Sequence, residues 1–104
     1  MNDPIITKFL RRISKIKAKI KSIYLFGSRA RGDEKPYSDY DLLLVMKKKD
    51  RRAIDRLYDA VVDMLLETGK VISLKIFQEE EFKRLSSIPT PFMSRILKEG
   101  IKIG

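Results

Sequence analysis

Two short stretches of the 104-residue sequence bring together residue types that can do chemistry: Gly27-Ser28 and, after a polar loop, Asp39-Tyr40-Asp41 at the head of an apolar run. Alternate residues of a strand face the same side, so Asp39 and Asp41 should point together, about 6–7 Å apart along the chain. Two carboxylates so held repel each other, and partial burial adds a desolvation cost, so the pair wants a cation. No lysine or arginine stands beside them in the stretch from Tyr37 to Met46. Magnesium suits such a pair, because it takes oxygen ligands, keeps several waters and is commonly shared between carboxylates and phosphates. Gly27-Ser28 supplies the complement: glycine lets backbone amides approach an anion closely, and a turn opening a helix presents unpaired donors. Ser28 adds a hydroxyl, and Arg29 and Arg31 add planar forks matched to phosphate oxygens. A phosphate cradle beside a metal-holding carboxylate pair is the arrangement a nucleoside triphosphate requires.

Composition narrows the alternatives. There is no cysteine and no histidine, which removes thiolate and imidazole metal sites, cysteine nucleophiles and histidine-based triads. Lysine and arginine number 23 against 14 acidic residues, a formal charge of +9 that favours polyanionic partners. The length suits one domain spanning 1–104, able to bury a core without staples. The apolar run from Leu42 to Met46 is far too short to span a bilayer, and the chain reaches Lys8 without a signal-type apolar stretch. These features imply a cytoplasmic protein with no membrane partner.

The elements that must position these residues can be traced by periodicity. Apolar residues from Ile5 to Ile20 recur at helical spacing behind Asp3 and Pro4, predicting a helix from Pro4 to about Lys21 with Asp3 as its cap. Its other face carries Lys8, Arg11, Arg12, Lys15 and Lys19, a stripe that normally serves solubility. Ser22 to Phe26 reads as a short strand, and Asp41 to Met46 as a central strand buried on both faces. Asp50 can cap a helix running to about Thr68, with Ile54, Leu57, Tyr58, Val61, Val62 and Leu65 inward and Gly69 as its stop. Val71 to Phe77 alternates as a third strand, then Glu79 to about Leu85 and Phe92 to Glu99 form two helices. The expected fold class is α/β (α+β), a small mixed sheet flanked by helices.

The stretch Leu25-Phe26-Gly27-Ser28-Arg29-Ala30-Arg31-Gly32, followed by Ser38-Asp39-Tyr40-Asp41-Leu42-Leu43-Leu44-Val45, resembles the signature of the DNA polymerase beta superfamily of nucleotidyltransferases. At this length the chain is similar to the minimal nucleotidyltransferase group, whose members are often antitoxin partners of helical HEPN-type toxins. The resemblance implies the nucleotidyltransferase fold. It matches Gly27 and Ser28 to the residues that grip a triphosphate, and Asp39 and Asp41 to the pair that holds Mg2+ and directs catalysis. It implies transfer of a nucleoside monophosphate from an NTP, ATP first among them, to a hydroxyl of a partner protein or an RNA end, with pyrophosphate released. A HEPN-type protein is the first candidate partner, and self-association into a homo-oligomer stays open.

One position departs from the pattern. Where the family carries a third carboxylate on a following strand, this sequence has Ser73, which neither binds magnesium strongly nor accepts a proton at neutral pH. Glu79, Glu80 and Glu81 follow too far along an extended chain to replace it, about 20 Å away. A second reading therefore stands beside the enzyme: a catalytically silent module that binds nucleotide or masks a partner by surface contact. General nucleic-acid binding, a third, rests on charge alone, without exposed aromatics interleaved in the basic stripe. Tyr37 and Tyr40 are expected to pack rather than to stack on a base.

Overall fold

In the computed structural model, which describes residues 3–104, the first helix starts where the sequence implies: the Ile5 amide donates to the Asp3 carboxylate at 2.8 Å, and Pro4 opens α1 (Pro4–Arg12). A 3-10 turn (Ser14–Lys19) leads into β1 (Ile20–Phe26), and Gly27 turns the chain into a single-turn helix α2 (Ser28–Arg31). A loop then delivers β2 (Tyr40–Met46), α3 (Arg51–Thr68) and β3 (Ile72–Gln78). Helices α4 (Glu79–Ser86) and α5 (Pro91–Glu99) follow, and a two-residue strand β4 (Ile101–Lys102) ends the series.

The strands form one mixed sheet in the order β3-β2-β1-β4, antiparallel except for the parallel β2–β3 pair. A parallel pair needs a covered crossover, and α3 provides it. One face of the sheet packs Leu25, Leu42, Leu44 and Met46 against Phe9 of α1 and Leu57 and Met64 of α3, all essentially inaccessible to solvent. Each such side chain contributes about 1.5–3 kcal/mol through removal from water. The other face is narrower in its cover: Leu43 and Val45 pack with Ile96 of α5 and with Tyr24, Phe26, Phe77 and Phe82. Asp41 belongs to this second face, alternate with Leu43.

Three expectations shift. The first helix stops at Arg12 rather than near Lys21, because Ile20 pairs with Met46 across the sheet and the Lys47 amide donates to Lys19 O, so strand pairing takes over the end of the helical pattern. Ile13 and Ile16 are three residues apart, a spacing the intervening 3-10 turn uses as readily as an α-helix does. In α3 the buried residues are Ala53, Leu57, Ala60 and Met64, while Tyr58, Val62 and Leu65 are exposed together with Leu66. Ile54 and Val61 pack partly buried against the same core, as expected, so the inward stripe is centred on small and flexible side chains and leaves Tyr58, Val62 and Leu65 outside it. Tyr37 is 83% exposed and so does not pack, whereas Tyr40 does.

Part of the basic stripe is neutralised within the fold. Arg12 pairs with Asp63 and Glu67, and Lys8 with Glu67, tying α1 to α3. Such exposed pairs add little stability, and the shared buried core of Phe9, Leu57 and Met64 joins the two helices.

Candidate functional site: a carboxylate pair against a glycine turn

Phe26, the last residue of β1, stands opposite Asp41 in the antiparallel register. Gly27 then takes φ +76°, on the side of the map that glycine adopts without steric penalty. A side chain here would do more than strain the backbone: a Cβ would collide with Asp41 Oδ2 and lie 3.3 Å from its Cγ. The Asp41 carboxylate is seated directly against the turn. The Ala30 and Arg31 amides donate to Gly27 O at 3.1 and 3.2 Å, while the first amides of α2, those of Ser28 and Arg29, have no earlier carbonyl in the helix to bond.

The carboxylates are unequal. Asp41 is half-buried and Asp39 is exposed on the approach to β2. Burial pushes the Asp41 carboxyl above its ordinary range, the Asp39 charge pushes it further, and Lys75 and Arg31 pull it back. Asp39 precedes the first residue of β2, so strand alternation does not set its direction, but its charge acts on Asp41. A cation relieves both causes of the upward shift, and the donor set is all oxygen, which fits a magnesium ion that completes its shell with water and phosphate. Among the described residues no three acidic side chains converge to hold a metal by themselves.

The loop bearing Asp39 is tied down from both sides. Arg29 Nε donates to Ser38 O at 3.1 Å, and its guanidinium lies 4.0 Å from the centre of the Tyr40 ring. Lys70 Nζ donates to Pro36 O at 2.8 Å. Tyr40 OH donates to Asp3 Oδ2 at 2.8 Å while the other Asp3 oxygen caps α1, so one carboxylate joins the head of β2 to the first helix. Desolvation first, then the Asp3 bond, push the Tyr40 hydroxyl up to about 12. Arg29 thus acts on the geometry of the loop, and Arg31 pairs with Asp33 and Glu99 at its exposed position.

Parallel pairing sets Ser73 beside Asp41 and Lys75 beside Leu43, so Ser73 and Lys75 share the Asp41 face. Lys75 is a cation that reading the sequence alone did not attach to the site; only the β2–β3 register reveals it. The acidic run after β3 turns away: Glu81 Oε1 accepts from the Gln78 amide at 2.9 Å and pairs with Lys49, and Glu79 pairs with Lys83. On the opposite side of the turn, Phe92 and Arg95 of α5 border a cleft with Phe26 and Gly27, also unsignalled by any motif.

Comparison with known proteins places this mixed sheet, with its glycine turn between two strands, in a nucleotidyltransferase-type domain. Residues 8–104 match the family described as "Polymerase beta, Nucleotidyltransferase", and the chain belongs to that family. Two relatives from Methanocaldococcus jannaschii, both named "Putative protein adenylyltransferase", are 38% and 39% identical. The first alignment covers 84% of this chain and 81% of the relative, the second 99% and 71%. The fold is also that of a chain in a crystal structure of a toxin–antitoxin with AMP-PNP, at 21% identity and TM-score 0.56 over 98% of this chain and 72% of that one. A chain in the complex of a tri-AMPylated Shewanella oneidensis HEPN toxin with an MNT antitoxin gives 16% identity and TM-score 0.54, covering 98% and 71%. Among the described residues no helix is long and apolar enough to cross a membrane.

Proposed function

We propose that the chain binds a magnesium–nucleoside triphosphate, ATP foremost, between the Gly27-Ser28 turn and Asp39/Asp41, and transfers the nucleoside monophosphate to a hydroxyl of a partner protein. The observation that carries this reading is the seating of the Asp41 carboxylate against Gly27, which puts a cation-seeking group beside a phosphate-sized donor turn. A magnesium ion held by the two aspartates would neutralise them and withdraw charge from the phosphate oxygens. The Ser28 and Arg29 amides and the Ser28 hydroxyl would hold the outer phosphates. The acceptor oxygen forms a bond to the α-phosphorus, the bond from that phosphorus to the oxygen bridging to the β-phosphorus breaks, pyrophosphate leaves with the electron pair, and the hydroxyl proton passes to water.

The relatives named as adenylyltransferases support transfer of AMP to protein, and the toxin–antitoxin neighbours support a HEPN-type toxin as the acceptor-bearing partner. The purified chain incubated with magnesium and labelled ATP, with and without such a partner, should label the partner. Loss of labelling in Asp39→Ala and Asp41→Ala is expected, and labelling that survives both overturns the reading.

Ser73 favours a second reading. It pairs with Asp41 where a third carboxylate would activate the acceptor, so a module that binds nucleotide and silences its partner by contact fits the same geometry. That reading requires magnesium-dependent ATP binding with no label transfer, and neutralisation of the partner that persists in Asp41→Ala.

A further inference from the structure

Beyond the turn and the acid pair, one side of the site is built by the C-terminal helix. A cleft of about 290 Å³ opens beside Gly27, walled by Phe26, Phe92 and Ile96 and bearing Arg31, Arg95 and Glu99. Phe26 and Phe92 meet edge to face with ring centres 6.0 Å apart, so α5 is packed firmly onto the end of β1. Arg31 reaches Glu99 at 3.3 Å across this cleft. Arg95 enters no ion pair among the described residues, although it stands on the same rim.

We infer that Arg95 of α5 binds the β- and γ-phosphates of the nucleotide and the pyrophosphate that they become. This rests on the nucleotide reading of the preceding section. In an in-line displacement the entering and leaving oxygens lie on opposite sides of the phosphorus. Asp41 is on β2, between β3 on one flank and β1 on the other. With the outer phosphates at the Gly27 turn that follows β1, the leaving group points away from β3, toward the cleft that Gly27 shares with α5. There it meets an arginine without a carboxylate and a second one that can exchange Glu99 for phosphate. The acceptor then approaches over Ser73 and Lys75, on the β3 flank.

Affinities of Mg-ATP, AMP and magnesium pyrophosphate, measured by calorimetry on the natural chain and on Arg95→Ala and Arg95→Lys, test the assignment. Arg95→Ala should weaken ATP and pyrophosphate about tenfold or more, the scale of one charge-assisted contact, with AMP unchanged. Arg95→Lys should recover part of the loss. Because Arg95 is exposed, the thermal midpoint should stay within about 2 °C of the natural chain, which separates lost contact from lost fold. Equal weakening of AMP and ATP overturns the inference and gives the cleft to the nucleoside instead. Unchanged affinities also overturn it while leaving the nucleotide site intact. A natural chain that binds neither ATP nor pyrophosphate removes the functional reading itself.

Discussion

Asp41 of β2 lies so close against Gly27 that the turn has no room for a β-carbon, which makes the carboxylate and the glycine two halves of one structural element. Gly27→Ala must either push the carboxylate away or move the turn, and it also places a side chain at φ +76°. A loss of about 1–3 kcal/mol of stability is expected from the backbone conformation alone, together with loss of magnesium-dependent nucleotide binding. Denaturant unfolding and ATP titration of the same variant check both. A variant that binds ATP normally would mean that the turn and the acid are independent.

Asp41→Asn should raise stability at neutral pH while abolishing magnesium-dependent binding. The sign follows from the direction of the shift: burial and Asp39 lift the Asp41 carboxyl in the folded state, so the ionised form opposes folding. Its contribution favours the fold fully below the ordinary aspartate pKa and is lost as pH rises through the lifted one. The difference in thermal midpoint between Asp41→Asn and the natural chain should therefore be positive at pH 7 and shrink toward pH 3. Magnesium with ATP should raise the midpoint of the natural chain only.

Tyr40 offers an alkaline test. Its hydroxyl is held up to about 12 by desolvation and by the bond to Asp3, so the folded state keeps a proton that the unfolded chain releases near 10. Stability from this tyrosine is complete below the ordinary value and disappears as pH rises from about 10 to 12. Ultraviolet titration of the tyrosinate band should show a late step from Tyr40, and Tyr40→Phe should remove it. The same variant should cost about 1.5–3 kcal/mol at neutral pH, because the Asp3 carboxylate loses a donor.

Ser73→Asp places a carboxylate beside Asp41 on the side from which the acceptor is expected to come. If the chain is a transferase lacking its base, labelling of the partner should rise about 10²-fold or more, the usual contribution of a positioned base. An unchanged rate would place the acceptor elsewhere than over β3.

The two apolar arcs of α3 should respond differently. Leu57→Ala, at a site without solvent access, should cost about 2–5 kcal/mol, whereas Leu66→Ala, 78% exposed, should change stability by less than about 0.5 kcal/mol. Chemical denaturation of the two variants decides the matter, and equal losses would contradict the observed facing of the helix.

Local pattern determined much of this protein. The Asp3 and Asp50 caps, the Gly69 stop and the continuous apolar run of β2 all follow from side-chain chemistry within a few residues and appear where the sequence implies, and β3 forms one residue further on, at Ile72–Gln78 rather than Val71–Phe77. The glycine turn is equally legible, because it is confined to one strand–turn–strand unit. Tertiary structure decided what stands beside it. The β2–β3 register brings Lys75 onto the Asp41 face, sheet pairing claims Ile20 from the helical pattern, and the packing of α5 sets Phe92 and Arg95 beside Gly27. It likewise turns Tyr58, Val62 and Leu65 outward, since helical spacing alone marks an apolar arc without saying which part of it the sheet will cover. Periodicity is a property of neighbours along the chain, whereas register and facing are set by contacts between residues distant in sequence, and only the folded arrangement fixes those.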